Sequence, residues 1–176
     1  MGSKKRSTKK ILKQNLDRSA PEHMQQLIVF LHDVRSLHNV GAVFRNADAF
    51  GINKLILSGV TPTPPRPEIT KTAIGAEEHV SWQTIDQPVD ALEKIKQKHT
   101  IIGIEQTDTS MLLPDFEISD RPLCLVFGNE VTGIDELLLP LIDFFVEIPQ
   151  YGHKHSLNVS VATGIVLYGM LEKYWE

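Results

Sequence analysis

The sequence predicts an α/β fold, a mostly parallel β-sheet with helices on both faces. Short runs of Val, Ile, Leu and Phe recur along the chain, apolar at nearly every position, as in strands buried on both sides. Between them lie longer segments with apolar residues at helical spacing, so strands and helices alternate. The chain has 176 residues, 41% hydrophobic and 23% charged, which suits one sizeable core and is short for two.

The elements follow in order. Residues 27–31 (LIVFL) are a buried strand. Residues 39–50 place Val40, Val43, Phe44 and Ala47 at helical spacing, with Asn39 at the N-cap position and Gly51 at the stop. Residues 54–60 (KLILSGV) are a second strand. Residues 61–69 hold four prolines and predict an extended loop. One helical turn over 71–75 and a short strand over 79–83 come next. Asp86 or Gln87 caps a helix that opens with Pro88 and runs to about Lys98. Residues 100–105 (TIIGIE) and 123–127 (LCLVF) are strands, 134–141 a short helix and 144–148 a strand. A terminal helix spans 159–174, with Val161, Ile165, Tyr168 and Leu171 on one stripe. No internal repeat is present.

No apolar run approaches the roughly 18 residues of a membrane span. The basic N-terminus has no apolar segment behind it, so it is not a secretory signal. The single cysteine, Cys124, excludes an internal disulfide framework and reads as a core residue of its strand. These features favour the cytoplasm. The net charge of -4 hides an asymmetry. Residues 1–23 hold seven basic and two acidic residues, a balance of +5, and residues 24–176 hold eleven and twenty, a balance of −9. A basic arm (1–23), helical or solvated, therefore precedes an acidic body (24–176).

Three segments end strands with small or polar residues, where ligands of open α/β sheets bind. In Ser36–Gly51, Asn39 reads as a helix cap or a site residue, and Arg45 as an exposed charge or a functional one. In Leu125–Asp135 a strand runs into Gly128, Asn129, Glu130 and Gly133. The glycines suit either a tight turn or close approach of backbone to a ligand. In Ile148–Ala162 a loop with Gly152, His153, Lys154 and His155 leads to Ser156, Asn158 and Ser160, and Ser156 or Asn158 can cap the last helix. The two loop histidines lack a third ligand of suitable spacing, so no metal site is expected. Neither a dinucleotide fingerprint nor a Walker A loop occurs.

Taken in this order and spacing, the three segments resemble the SpoU/TrmH-type branch of the SPOUT RNA methyltransferases. The resemblance rests on Asn39, Gly41 and Arg45, on Gly128-Asn129-Glu130 with Gly133, and on Ile148-Pro149, Gly152 and Ser156–Ser160. It covers about residues 26–174. It implies a C-terminal deep trefoil knot, a homodimer, S-adenosylmethionine as cofactor, and methyl transfer to a ribose 2′-hydroxyl of RNA. The family's members with large added RNA-binding domains often act on ribosomal RNA, so tRNA is favoured here.

By the same resemblance, Ile104, Glu105, Gln106, Phe127, Gly128, Asn129, Ile148, Ser156 and Leu157 line the cofactor pocket. Arg45, Asn39, Glu130, Ser156 and Asn158 form the catalytic group. A guanidinium, with a pKa above about 12, is a poor general base, so Arg45 is expected to hold the phosphate beside the target ribose. Lys4, Lys5, Arg6, Lys9, Lys10 and Lys13 become candidate RNA contacts. The loop containing Arg66 and Lys71 is a second contact or a rigid connector. A non-catalytic RNA-binding relative and a small-molecule enzyme are the rival readings. The first predicts no cofactor binding and the second predicts activity without RNA.

Overall fold

The computed structural model describes residues 4–118 and 120–174. The first three residues of the basic arm lie outside the described residues, as do positions 119, 175 and 176 of the body. Seven strands form one parallel sheet: β1 (Ile28–His32), β2 (Lys54–Ser58), β3 (Ser81–Ile85), β4 (Thr100–Ile104), β5 (Met111–Leu112), β6 (Leu123–Phe127) and β7 (Phe144–Glu147). Their order is β3-β2-β1-β6-β4-β7-β5. The helices are α1 (Thr8–Leu16), α2 (Glu22–Gln26), α3 (Leu37–Ala49), α4 (Pro67–Ala73), α5 (Pro88–Lys96) and α6 (Val159–Lys173).

Alternation along each strand divides the core in two. Val29 and Leu31 of β1, with Leu125 and Phe127 of β6, pack against α3, α4 and α6. Ile28 and Phe30, with Cys124 and Val126, pack against α5 and the segment around Ile134 and Leu138. The central strands β1 and β6 are buried at every position, as continuous apolar runs require. Cys124 is fully buried, and burial pushes its thiol pKa up, so it is a packing residue. The edge strand β3 is mostly exposed.

Several elements differ from the sequence reading. α3 starts at Leu37, and Ser36 is its cap, accepting from the Asn39 amide at 3.3 Å. Asn39 is therefore inside the first turn, which frees its side chain. α4 begins within the proline-rich stretch, because Pro67 occupies the first turn, where a missing N–H costs nothing. The helix expected over 134–141 is a series of turns ending in a 3-10 turn at Leu139–Leu141. Asp135 draws the Leu137 amide to its own carboxylate at 2.8 Å, and Pro140 has no N–H to give. β5 is too short to leave a pattern.

Of the apolar stripe on α6, only Leu171 packs against the core. Val159, Thr163, Val166, Leu167 and Met170 are buried, while Val161, Ile165 and Tyr168 stand 50%, 39% and 49% exposed. This helix is apolar almost all round, so periodicity could not choose its buried face. At the other end, α1 is capped by Ser7 and buries no residue. The division at residue 23 falls inside α2, whose Met24 is fully buried. No helix among the described residues is long and apolar enough to cross a membrane.

Candidate active site

The carboxyl ends of the adjacent strands β6, β4 and β7 open into a cleft of about 580 Å³. All nine residues assigned to cofactor binding line it: Ile104, Glu105, Gln106, Phe127, Gly128, Asn129, Ile148, Ser156 and Leu157. Glu130 lines it too.

The cleft wall after β6 is a loop folded back on itself. Asn129 and Gly133 pair in an antiparallel bridge. A Cβ on Gly128 would overlap the Gly133 carbonyl and the Ile134 nitrogen, so this position requires glycine. The Asn129 side chain is spent on the architecture. Its Oδ1 accepts from Val131 and Thr132, and its Nδ2 donates to the Asp33 carbonyl at 2.8 Å. Glu105 crosses from β4 and accepts from the Ile134 amide at 3.1 Å and the Gln106 amide at 2.9 Å. Gln106 donates to the His155 carbonyl at 2.7 Å, which ties the third segment to the second.

Glu130 joins the second segment to the first. Its carboxylate accepts from Asn39 Nδ2 at 2.9 Å, from the Arg35 amide at 3.1 Å and from the Ser36 amide at 3.3 Å. Partial burial raises its pKa, but the Asn39 hydrogen bond and the backbone N–H groups more than offset this, and the net shift is downward. Glu130 is thus a committed acceptor at the N-terminus of α3, where negative charge is favoured, and not a proton donor. Asn39 Oδ1 accepts from Asn158 Nδ2 at 3.0 Å. Asn158 also caps α6, accepting from the Ser160 amide at 2.9 Å and its hydroxyl at 2.6 Å.

One chain of hydrogen bonds therefore links Glu130, Asn39 and Asn158, three of the five residues assigned to catalysis. Ser156 lies at the cleft, exposed. Arg45 is exposed on α3, with no hydrogen-bond or ion-pair partner among the described residues. The six basic residues from Lys4 to Lys13 are exposed, on or just before a helix that buries no residue.

The sequence reading passed over Ser36 and Asn46. Asn46 donates from α3 to the Ser160 carbonyl at 2.7 Å and holds α6 beside Arg45. Only its place next to Arg45 hinted at a role.

The profile of the SpoU rRNA Methylase family matches residues 26–168, the whole of this frame. The chain belongs to that family. A Bacillus subtilis relative, described as the putative TrmH family tRNA/rRNA methyltransferase YacO, is 31% identical over 90% of this chain and 64% of its own length. A Staphylococcus haemolyticus protein of the same description is 28% identical over 83% of this chain and 58% of its own. The chain thus spans about three-fifths of the length of these curated relatives. Among solved structures, the A. aeolicus TrmH/SpoU tRNA modifying enzyme superposes with a TM-score of 0.79 at 28% identity. The match covers 94% of this chain and 85% of that one. An AdoMet-bound rRNA methyltransferase from Sinorhizobium meliloti matches with a TM-score of 0.77 at 25% identity, over 85% of this chain and 57% of that one. The parallel sheet is that of the SpoU/TrmH methyltransferases.

Proposed function

We propose that this protein transfers a methyl group from S-adenosylmethionine to a ribose 2′-hydroxyl of RNA, with tRNA as its substrate class. The observation that supports this most directly is the meeting of the three strand-end segments at one cleft, joined by the Glu130–Asn39–Asn158 chain. The cleft fits the cofactor. Its volume is within the usual range for such ligands, about 300–1,000 Å³. Ile104, Phe127, Ile148 and Leu157 offer apolar cover for an adenine, and the Glu105, Glu130, Glu136 and Glu147 carboxylates suit a sulfonium cation. The knotted path belongs to this reading.

The bound cofactor supplies an electrophilic methyl group. The chain's own residues supply placement, which alone can lower such a barrier by several kcal/mol. Glu130 fixes Asn39, and Asn39 fixes Asn158 and the start of α6. Arg45 has no partner among the described residues and is free to hold the phosphate beside the target ribose bidentately. The exposed cations of α1 add RNA affinity to an acidic body. A second copy of the chain covers the Val161–Ile165–Tyr168 face of α6, giving a homodimer. The tRNA preference is supported by the near full-length match, in both directions, to the A. aeolicus tRNA modifying enzyme.

The test is incubation with labelled S-adenosylmethionine and fractionated RNA, followed by digestion and mapping of the labelled nucleotide. Label on a tRNA ribose is expected, and RNA without label would refute the assignment. Arg45→Ala is expected to abolish incorporation while calorimetry still shows cofactor binding. Incorporation at the wild-type rate would remove Arg45 from the mechanism.

A further inference from the structure

Behind the loop that walls the cleft, at the carboxyl end of β1, lies a cluster that the proposed reaction does not use. His32, Asp33 and Asp135 each direct one ligand-type atom to a common point, and the three atoms lie within 4.8 Å of one another. His32 Nε2 is 3.7 Å from Asp33 Oδ2 and 3.9 Å from Asp135 Oδ2. These distances exceed hydrogen-bond length. None of the three residues lines the cleft.

The rest of each side chain is anchored. Asp33 Oδ1 accepts from the Val60 amide at 2.8 Å, and Asp135 Oδ1 accepts from the Leu137 amide at 2.8 Å. Each carboxylate therefore leaves its Oδ2 free. His32 is 6% exposed, and its Nδ1 is 2.8 Å from Ser58 Oγ. That hydroxyl can also donate to the Leu31 carbonyl at 3.3 Å. Nε2 of this buried imidazole faces the two carboxylate oxygens and has no hydrogen-bond partner among the described residues. Three ligand-type atoms so arranged can hold a cation. A ring nitrogen donating away from the site to fix the liganding one is the usual outer-shell arrangement of a metal-bound histidine.

We propose that His32, Asp33 and Asp135 bind one divalent cation of the Mn²⁺ or Zn²⁺ class. One imidazole with two carboxylates favours these ions over Mg²⁺ or Ca²⁺, which prefer all-oxygen shells. Ligand atoms around such an ion lie about 3.0–3.4 Å apart, so the Oδ2–Nε2 gaps need to close by about half an ångström. The ion clasps the end of β1 to the loop after β6, beside the Asn129–Asp33 hydrogen bond. It thereby steadies the wall that carries Glu130. Asp33 has a φ of 56°, a conformation that Asp and Asn tolerate best, which suits a residue held at a fixed angle.

The test uses the whole protein after chelator treatment, and it reads the ion directly, apart from methyl transfer. Mn²⁺ titration followed by electron paramagnetic resonance, with Zn²⁺ as competitor, is expected to show one ion per chain. Asp135→Asn is expected to weaken binding at least tenfold while keeping the bond to Leu137. Asp33→Asn, which tolerates the same backbone angle, is expected to do likewise. The double variant His153→Gln, His155→Gln is expected to bind normally. Saturating Mn²⁺ is expected to raise the wild-type Tm by a few degrees and to leave that of Asp135→Asn unmoved. No Mn²⁺ or Zn²⁺ binding at millimolar ion, unchanged binding in Asp135→Asn, or loss in the loop double variant each overturns the proposal.

Discussion

Replacing Glu130 by Gln tests whether one carboxylate holds the first and second segments together. The wild-type carboxylate accepts from three donors, at 2.9, 3.1 and 3.3 Å. Hydrogen bonds to a charged group contribute about 1.5–3 kcal/mol when shielded. Glu130 is exposed, so water recovers much of this on substitution, and a discount is required. Loss of negative charge at the start of α3 adds about 0.3–1 kcal/mol. The amide keeps one acceptor oxygen and turns its NH₂ toward donors. A net loss of about 1–2 kcal/mol follows, or a fall in Tm of roughly 2–8 °C for a chain of this size.

The pH dependence makes the test sharper. The folded-state pKa of Glu130 is lowered, so its stabilisation is fully present above the unfolded carboxyl value of about 4.3. It is lost as pH falls through the lower folded value. Urea unfolding followed by circular dichroism should therefore show a gap between wild type and Glu130→Gln at pH 7. The gap should close in acid. Equal stability at pH 7, or a gap that persists unchanged well below pH 4, would refute the role given to Glu130.

Deleting residues 4–18 removes seven cations and should weaken RNA binding, flattening the salt slope by up to about 5 log units per log unit of salt. Affinity unchanged at every salt concentration would leave the arm without a role. Gly128→Ala forces a Cβ onto the Gly133–Ile134 backbone and should cost about 1–3 kcal/mol in thermal unfolding, with loss of cofactor affinity by calorimetry. Tyr168→Asp places a charge on the exposed face of α6, and sedimentation should show dimer giving way to monomer. An unchanged mass would exclude that face as the interface.

The strands at the centre of the sheet were legible because burial on both faces leaves only apolar residues, as in residues 27–31 and 123–127. Where one face or neither is buried, the signal weakens. The exposed strand β3 lay two residues beyond its expected place. The sequence left the buried face of α6 open because nearly every position on it is apolar. The helix expected over 134–141 failed on a local competition that composition does not show, between the Asp135 carboxylate and the helix for the Leu137 amide.

By itself the sequence determined the α/β class and the charge of the basic arm, and the order and spacing of three segments carried the resemblance that named the cleft residues. These are local properties, or properties of order and spacing, and they survive without coordinates. Only the tertiary structure decided the partners. Glu130 and Asn39 are 91 positions apart and share a 2.9 Å hydrogen bond, and Asn158 and Asn39 are 119 apart and share one of 3.0 Å. His32, Asp33 and Asp135 left no trace in spacing, since two lie on β1's end and the third on the loop after β6. Side-chain chemistry is written in each residue, but distance between residues far apart in the chain is set by how the sheet orders its strands. Here β6 lies beside β1, and that single adjacency brings together both the Glu130 link and the His32–Asp33–Asp135 cluster.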